Sequence, residues 1–160
     1  MKLARVVALV ALSATGFALQ AKPAPAPAGA SAAQLVAARQ AGMDLSATSV
    51  NLLKGASANG MPLKSLGFSA NGLAKWAAAM PALFAENTKG ISPRAKAEIW
   101  TNKADFAAKA DSFAQATKAL AAAAAAEDKD AFASALASVG GACKGCHDSY
   151  QAPPPAKPAG

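Results

Sequence analysis

The chain has 160 residues, of which 16 are Lys or Arg and 9 are Asp or Glu, so its formal net charge is +7 at neutral pH. This length suits one domain with a core of its own and is short for two. The basic residues are scattered singly rather than gathered in runs, which argues against a nucleic-acid-binding surface and favours an ordinary charged surface.

Residues 1–21 have the pattern of a secretory signal peptide. Lys2 and Arg5 precede the apolar run VVALVALSATGFAL, and small residues follow it. The run is too short for a membrane span, so we expect an exported protein with no membrane span. We also expect an Ala/Pro linker at 22–30 and a disordered, Pro-rich tail at 152–160, because both stretches offer little apolar bulk to bury.

Between these ends, from residue 31 to residue 151, the composition favours helices. Alanine has the highest helix propensity, β-branched residues are scarce, and no stretch alternates apolar with polar residues. Pro81 is expected to end the second helix, and Asp128 is a candidate N-cap of the fourth. The apolar spacing predicts an all-α fold, an antiparallel four-helix bundle, with helices over 31–54, 69–80, 101–126 and 128–149.

The stretch CKGCHDSY holds both cysteines and the only histidine of the chain. On the fourth helix, Cys143 and Cys146 fall on the apolar stripe, and His147 lies one turn beyond Cys143 on the same face. C-x-x-C-H is the attachment signature of c-type haem, in which each thiol adds across a porphyrin vinyl group and the imidazole ligates the iron. The motif therefore predicts one covalently bound haem c per chain, held through two thioethers.

Other uses of this cluster fit less well. A structural zinc site takes four ligands, and the cluster offers only three. A redox-active C-x-x-C pair belongs to a βαβ context that the sequence does not predict, and a disulfide across so short a loop would stabilise little. A haem-free thiol or metal-binding bundle stays as the outside alternative.

From residue 31 to residue 151 the chain resembles the class II c-type cytochromes, the cytochrome c′ and cytochrome c-556 group. The resemblance rests on RQAGM at 39–43, AEIWTNKADF at 97–106 and VGGACKGCH at 139–147. It implies a periplasmic protein whose haem is attached near the C-terminus, and cytochrome c′ is itself one of the standard four-helix bundles.

The resemblance also implies roles for single residues. Arg39 matches an arginine near the haem propionates, and an anion there would suit a cation on an apolar stripe. Met43 matches the distal position, across the haem from His147. Gln151 departs from the family pattern, which usually has Arg or Lys four residues after the histidine, so properties that depend on that basic side chain are not transferred.

The role of Met43 separates two functions. In the c-556 members a methionine at this position ligates the iron, which gives a low-spin carrier of one electron. We expect such a carrier here, with His147 and Met43 as the metal ligands and a redox partner protein in the periplasm. The alternative is a five-coordinate protein of the c′ type that binds NO or CO at the distal haem face.

The sequence favours a protein that is not an enzyme. It has no second histidine and no candidate base beside an open site. Members of the family are often homodimers through their first two helices, and the alanine-rich surface of this chain permits a homodimer without requiring one.

Overall fold

The computed structural model describes residues 29–92 and 94–154, so the predicted signal peptide, most of the linker and the end of the tail lie outside the described residues. The helices within this part are α1 Ala32–Ala58, α2 Gly67–Ala79, α3 Glu98–Thr101, α4 Lys103–Ala126 and α5 Lys129–Tyr150. Short 3₁₀ turns at Leu63–Leu66, Met80–Leu83 and Glu86–Thr88 lie in the connections. The described residues contain no β-strand, only an isolated antiparallel bridge between Ala95 and Gln151.

The four long helices α1, α2, α4 and α5 confirm the predicted all-α four-helix bundle. Their bounds differ from the prediction mainly at α1, which continues to Ala58. Pro81 lies just beyond α2, within the first positions of a 3₁₀ turn, where its missing N–H would have no partner in any case. The short helix α3 was not predicted, because a single turn leaves no apolar periodicity in the sequence.

Side-chain caps fix where α1 and α5 begin. Ser31 and Gln34 form a reciprocal capping box, in which Gln34 N donates to Ser31 Oγ at 3.3 Å and Ser31 N donates to Gln34 Oε1 at 2.8 Å. Asp128 accepts a hydrogen bond from Ala131 N at 2.9 Å, as predicted for the N-cap of the fourth helix. Glu127, with a φ of 55°, ends α4 in the left-handed region. The connection from α4 to α5 is therefore very short and makes the two helices neighbours.

The helices do not all pack on one another equally. α4 packs extensively against α5 and α2, and α1 packs against α2, whereas α1 and α5 make almost no direct contact. None of the described helices is long and apolar enough to cross a membrane. The main core includes the buried side chains Leu53, Leu73, Phe113, Leu120, Phe132, Leu136 and Val139. A second cluster, the small aromatic cluster, is formed by Ile99, Trp100, Phe106 and Tyr150.

Gly42 is the point at which a side chain of α2 lies directly on the backbone of α1. A Cβ at this position would overlap the six-membered ring of the Trp76 indole, at Cη2 above all. Trp76 is half-buried and packs against the main core, and its Nε1 is buried without a hydrogen-bond partner in the described structure. Gly42 therefore leaves the space in which the indole ring lies, one residue before Met43.

We expect Gly42→Ala to lower the free energy of unfolding by about 1–3 kcal/mol, because the new methyl group and the indole ring cannot both keep their positions. Urea unfolding of the two proteins measures the difference. Gly55→Ala is the matched control in the same helix, since a Cβ at Gly55 would meet nothing within 4 Å. That control should be neutral or stabilising by up to ~1 kcal/mol. Equal responses of the two variants would contradict the steric argument.

Tyr150 joins the end of α5 to the beginning of α4. Its hydroxyl donates to Oδ2 of Asp105 at 2.6 Å, and its ring meets that of Phe106 edge-on with centroids 5.3 Å apart. Burial of the phenol, followed by the hydrogen bond and negative charge of Asp105, raises the pKa of Tyr150 to about 12. The fold therefore stabilises the neutral phenol.

This pKa predicts a loss of stability at high pH. Because the folded-state pKa lies above the ordinary value of about 10, the stabilisation is complete below pH ~10 and is lost as the pH rises toward 12. Tyr150 is the only tyrosine in the chain, so ultraviolet absorbance reports its ionisation directly. Asp105→Asn should lower the midpoint yet leave it above 10, because burial persists. A midpoint near 10 in the parent protein would refute the prediction.

Candidate haem-binding site

Cys143 and Cys146 lie one turn apart on α5, and both are half-buried free thiols. Cys143 packs against the main core and Cys146 against the small aromatic cluster. Burial raises the pKa of both thiols. Among the described residues, no three His, Cys, Asp or Glu side chains are arranged to hold a metal ion by themselves.

Two adjoining cavities lie between α5 and α1, where the helices make almost no direct contact. The first has a volume of about 310 Å³ and the second about 350 Å³, within the usual range of ligand pockets. Met43, Cys146 and His147 line both cavities, which therefore meet at these side chains. The first cavity continues along α5 past Cys143, and the second reaches Arg39. The fold thus brings together all five residues predicted for the site, and their roles toward a haem stay predictions.

His147 projects from the last turn of α5 at the junction of the two cavities. Partial burial, and then the positive charge of Arg94, lower the pKa of His147, while the neighbouring Asp148 opposes this shift. A lowered pKa favours the neutral imidazole at physiological pH. The neutral form is the one that ligates a metal.

Arg39 is a buried cation with one nitrogen unpaired. Only 3% of the residue is exposed, and its Nη1 donates to Thr88 Oγ1 at 2.9 Å and to Leu83 O at 3.3 Å. Its guanidinium carbon lies 4.6 Å from the centroid of the Phe84 ring. In the described structure the buried Nη2 has no hydrogen-bond partner, although the residue lines the second cavity. Burial lowers the pKa of Arg39, and an anion in this cavity would offset that cost.

Gly140 and Gly141 lie one turn before the cysteines, inside the continuous helix α5. A Cβ at either position would meet no atom within 4 Å, and Gly140 lines the first cavity. The protein's own side chains therefore do not require glycine there. Glycine lowers the stability of a helix relative to alanine. A flat ligand lying against the helix would explain why position 140 nevertheless has glycine.

Several residues of the cavities had not been expected there. Met80, only 3% exposed, lines the first cavity together with Lys54 and Lys109. Met80 is also one of the buried side chains of the main core, so it is at once core and cavity wall. Arg94 lines the second cavity from a connection without periodicity, so no sequence pattern marked it.

Gln151 lies where the family resemblance implies a basic side chain. Its backbone N–H donates to His147 O at 2.9 Å, and the residue lines the second cavity. Arg94 lines the same cavity, with its Nε donating to Ala152 O at 3.3 Å. A cation is therefore present beside Gln151, although a different segment supplies it.

The two cavities fit the chemistry of a haem. A haem is a flat and largely apolar group with two carboxylates at one edge, and the first cavity offers apolar walls such as Val50 and Phe113. The second offers the unpaired nitrogen of Arg39 to a carboxylate. Cys146 and His147 lie at the junction and Cys143 lines the first cavity, so all three groups of the C-x-x-C-H motif face this space.

Comparison with known proteins places these features in one family. The family model described as Cytochrome C' matches residues 34–151. A cytochrome c′ from Pararhodospirillum photometricum is 47% identical over 73 residues, which are 45% of this chain and 58% of that protein. A cytochrome c′ from Rubrivivax gelatinosus is 43% identical over 63 residues, which are 39% of this chain and 49% of that protein. The chain thus spans about half the length of the curated relatives it matches.

Solved structures cover more of the chain. A cytochrome c′ from Thermochromatium tepidum superposes with a TM-score of 0.71 and 33% identity, over 78% of this chain and 98% of that one. A nitric oxide complex of a cytochrome c prime mutant from Alcaligenes xylosoxidans gives a TM-score of 0.70 and 29% identity over 78% and 98%. A further cytochrome c′, with an unusual ligand-controlled dimer dissociation, superposes with a TM-score of 0.72 and 30% identity. That match covers 79% of this chain and 100% of that one.

The expectation of a low-spin electron carrier ligated by His147 and Met43 is wrong. The matching family and the relatives above are cytochromes c′, the five-coordinate branch of the resemblance, rather than c-556 proteins. The physical reason is that a thioether on a helical stripe packs as readily as it ligates, and Met43 here packs against the main core while lining the cavities. This chain belongs to the cytochrome c′ family and carries one covalently bound haem c.

Proposed function

We propose that this protein is a five-coordinate haem protein of the c′ type, which binds NO or CO at the distal face of its haem. The observation that carries the proposal is the first cavity, in which apolar walls from α1 and α4 line the same space as the C-x-x-C-H turn of α5. A neutral diatomic gas suits such a pocket because it brings no charge that must be desolvated. The solved nitric oxide complex of the Alcaligenes xylosoxidans relative supports this choice of ligand.

Three residues of α5 hold the haem in this proposal. Cys143 and Cys146 would form the two thioethers, and His147 would ligate the iron. When bound, the haem supplies an iron atom that takes a diatomic gas as its sixth ligand. The lowered pKa of His147 supports this role because it keeps the imidazole neutral.

Met43 is proposed as part of the distal wall and not as a ligand. It is half-buried on α1 and packs against the main core. With Met80 it gives the first cavity two flexible, apolar thioether side chains. Such a wall keeps water away from the sixth position and can still make room for a small ligand.

Arg39 is proposed to pair with a haem propionate. The unpaired and buried Nη2 supports this assignment, because a buried guanidinium nitrogen without a partner is costly and a carboxylate would satisfy it. Its other contacts, to Thr88 and to the ring of Phe84, hold the side chain in place before the anion arrives.

We further propose residues 1–21 as a cleaved signal peptide, 22–30 as a linker, 31–151 as the haem domain and 152–160 as a tail, in a periplasmic protein without enzymatic activity. Export supports covalent haem attachment outside the cytoplasm, where free thiols would otherwise be oxidised. The mass of the mature protein checks the cleavage. CO binds ferrous haem, so the proposal retains a periplasmic protein that donates electrons to this one. The rate at which that donor reduces the haem should fall when salt is added, because salt screens the attraction between charged surfaces.

The proposal predicts a broad, high-spin absorption spectrum for the dithionite-reduced protein, which changes when CO is added. Met43→Leu should leave the reduced spectrum unchanged and should still bind CO, because leucine keeps the apolar wall without sulfur. Absorption spectroscopy of both proteins, matured in a host that attaches c-type haem, measures this. A split low-spin spectrum in the parent that Met43→Leu abolishes would show Met43 to be a ligand and would overturn the proposal.

Two further variants of the same haem protein complete this experiment. Arg39→Met should keep the covalent haem but lower its reduction potential, because a nearby cation favours the reduced state. An unchanged potential would remove Arg39 from the propionate site. In the double variant Cys143→Ala with Cys146→Ala, a haem stain of the denatured chain should be negative.

A homodimer through α1 and α2 is a second proposal. Leu45 and Leu52 lie two turns apart on one face of α1 and are 67% and 50% exposed, and Phe68 in the first turn of α2 is 92% exposed. Exposed apolar residues of this size at neighbouring helices are typical of protein interfaces. The relative with a ligand-controlled dimer dissociation supports a second copy of this chain as the partner.

Sedimentation velocity of the haem protein should show a dimer that Leu52→Lys and Phe68→Lys each convert to monomer, because a buried unpaired charge opposes association. Ile91→Lys is the matched control, since Ile91 is 47% exposed in a connection outside both helices. A parent protein that is monomeric at micromolar concentration, or an equal effect of Ile91→Lys, would reject this interface.

A further inference from the structure

The last turn of α5, which carries His147, is capped by a residue from a distant segment. A helix leaves its last four backbone carbonyls without partners inside the helix. Here His147 O accepts from Gln151 N at 2.9 Å. Lys96 supplies all three remaining donors: its Nζ donates to Asp148 O at 3.1 Å and to Ser149 O at 3.3 Å, and its backbone N donates to Tyr150 O at 3.0 Å.

The neighbours of Lys96 hold the chain in this place. Ala152 N donates to Arg94 O at 2.9 Å, and Ala95 and Gln151 form an antiparallel bridge. The side chain of Arg94 also returns to Ala152 O. Main-chain and side-chain hydrogen bonds thus pair the segment 94–96 with residues 148–152. This pairing holds the Lys96 ammonium at the end of the helix.

The charge of Lys96 suits its place. A cation at the C-terminus of a helix interacts favourably with the helix dipole and with the free carbonyls. Arg94 adds a second cation on the same side, held there by its bonds to Ala152. Both hydrogen bonds of its ammonium go to carbonyls of α5, and Lys96 forms no salt bridge with the described residues.

We propose that Lys96 is a positioning residue for His147: by capping three of the four terminal carbonyls of α5, it fixes the orientation of the axial imidazole relative to the haem iron. This inference rests on the proposed role of His147 as axial ligand. It does not depend on which ligand, if any, occupies the distal side. A lysine 51 positions before the histidine in sequence thereby becomes part of the proximal side of the site.

The test compares three variants of the intact haem protein. Lys96→Met removes the ammonium and keeps the apolar stem and the backbone N–H, while Lys96→Arg keeps a cation and its donors. Lys103→Met is the matched control, because it also removes one positive charge but breaks only an exposed pair with Glu86, 3.1 Å long. Two quantities are measured by NMR: amide hydrogen exchange in the last turn of α5, and the hyperfine-shifted ring-proton signals of His147 in the ferric protein.

In Lys96→Met we expect roughly two- to fivefold faster exchange of the amides at 147–151 together with displaced His147 ring signals. Lys96→Arg should restore both, and Lys103→Met should leave both at their parent values. Faster exchange with unmoved ring signals would make Lys96 a structural cap only and would overturn the inference, as would no change in either quantity. The ring signals exist for high-spin and low-spin iron alike, so a parent spectrum that disproves five-coordination leaves this test intact.

Discussion

The site depends on one helix pair that is kept apart. In a bundle of this size each long helix would ordinarily pack on two neighbours, yet α1 and α5 make almost no direct contact. The missing contact is compensated elsewhere, because α4 packs along both α5 and α2 and buries Phe113 and Leu120 between them. The cavities therefore follow from the way the helices pack, and they run along the whole C-x-x-C-H turn.

Polar and aromatic groups beside the second cavity are organised around Arg39. The guanidinium lies over Phe84 and within 6.0 Å of the Trp100 ring centroid, and Trp100 Nε1 in turn donates to Phe84 O at 3.0 Å. A buried cation supported by aromatic rings, one hydroxyl and one backbone carbonyl is expensive to maintain without an anion. Its presence beside the second cavity is consistent with a group that is apolar along most of its area and carboxylated at one edge. The apolar first cavity and the second cavity with its cation thus match the apolar face and the carboxylate edge of a haem.

Local signals in the sequence were sufficient for most of the fold. The cap at Asp128, the alanine-rich helices and the C-x-x-C-H spacing act within a few residues, so they could be predicted without coordinates. Lys96 could not be found in this way, because its partners lie 52 and 53 residues away and its own segment has no periodicity. The close approach of Trp76 to Gly42 is likewise a contact between two helices, and no local sequence pattern predicts it. Met43 lines both cavities, but sequence alone does not separate a thioether that ligates from one that packs.

The division of the site between two helices has a mechanical consequence. Both cysteines and His147 belong to α5, whereas Met43 belongs to α1. If these three residues hold the haem as proposed, all of its attachment points would lie on one continuous helix, whatever the position of α1. Because α1 is held mainly by α2 and the turns that follow it, a displacement of α1 would change the width of the two cavities without moving these three residues. In the proposed arrangement, a gas molecule would therefore meet the helix that carries none of the three attachment residues.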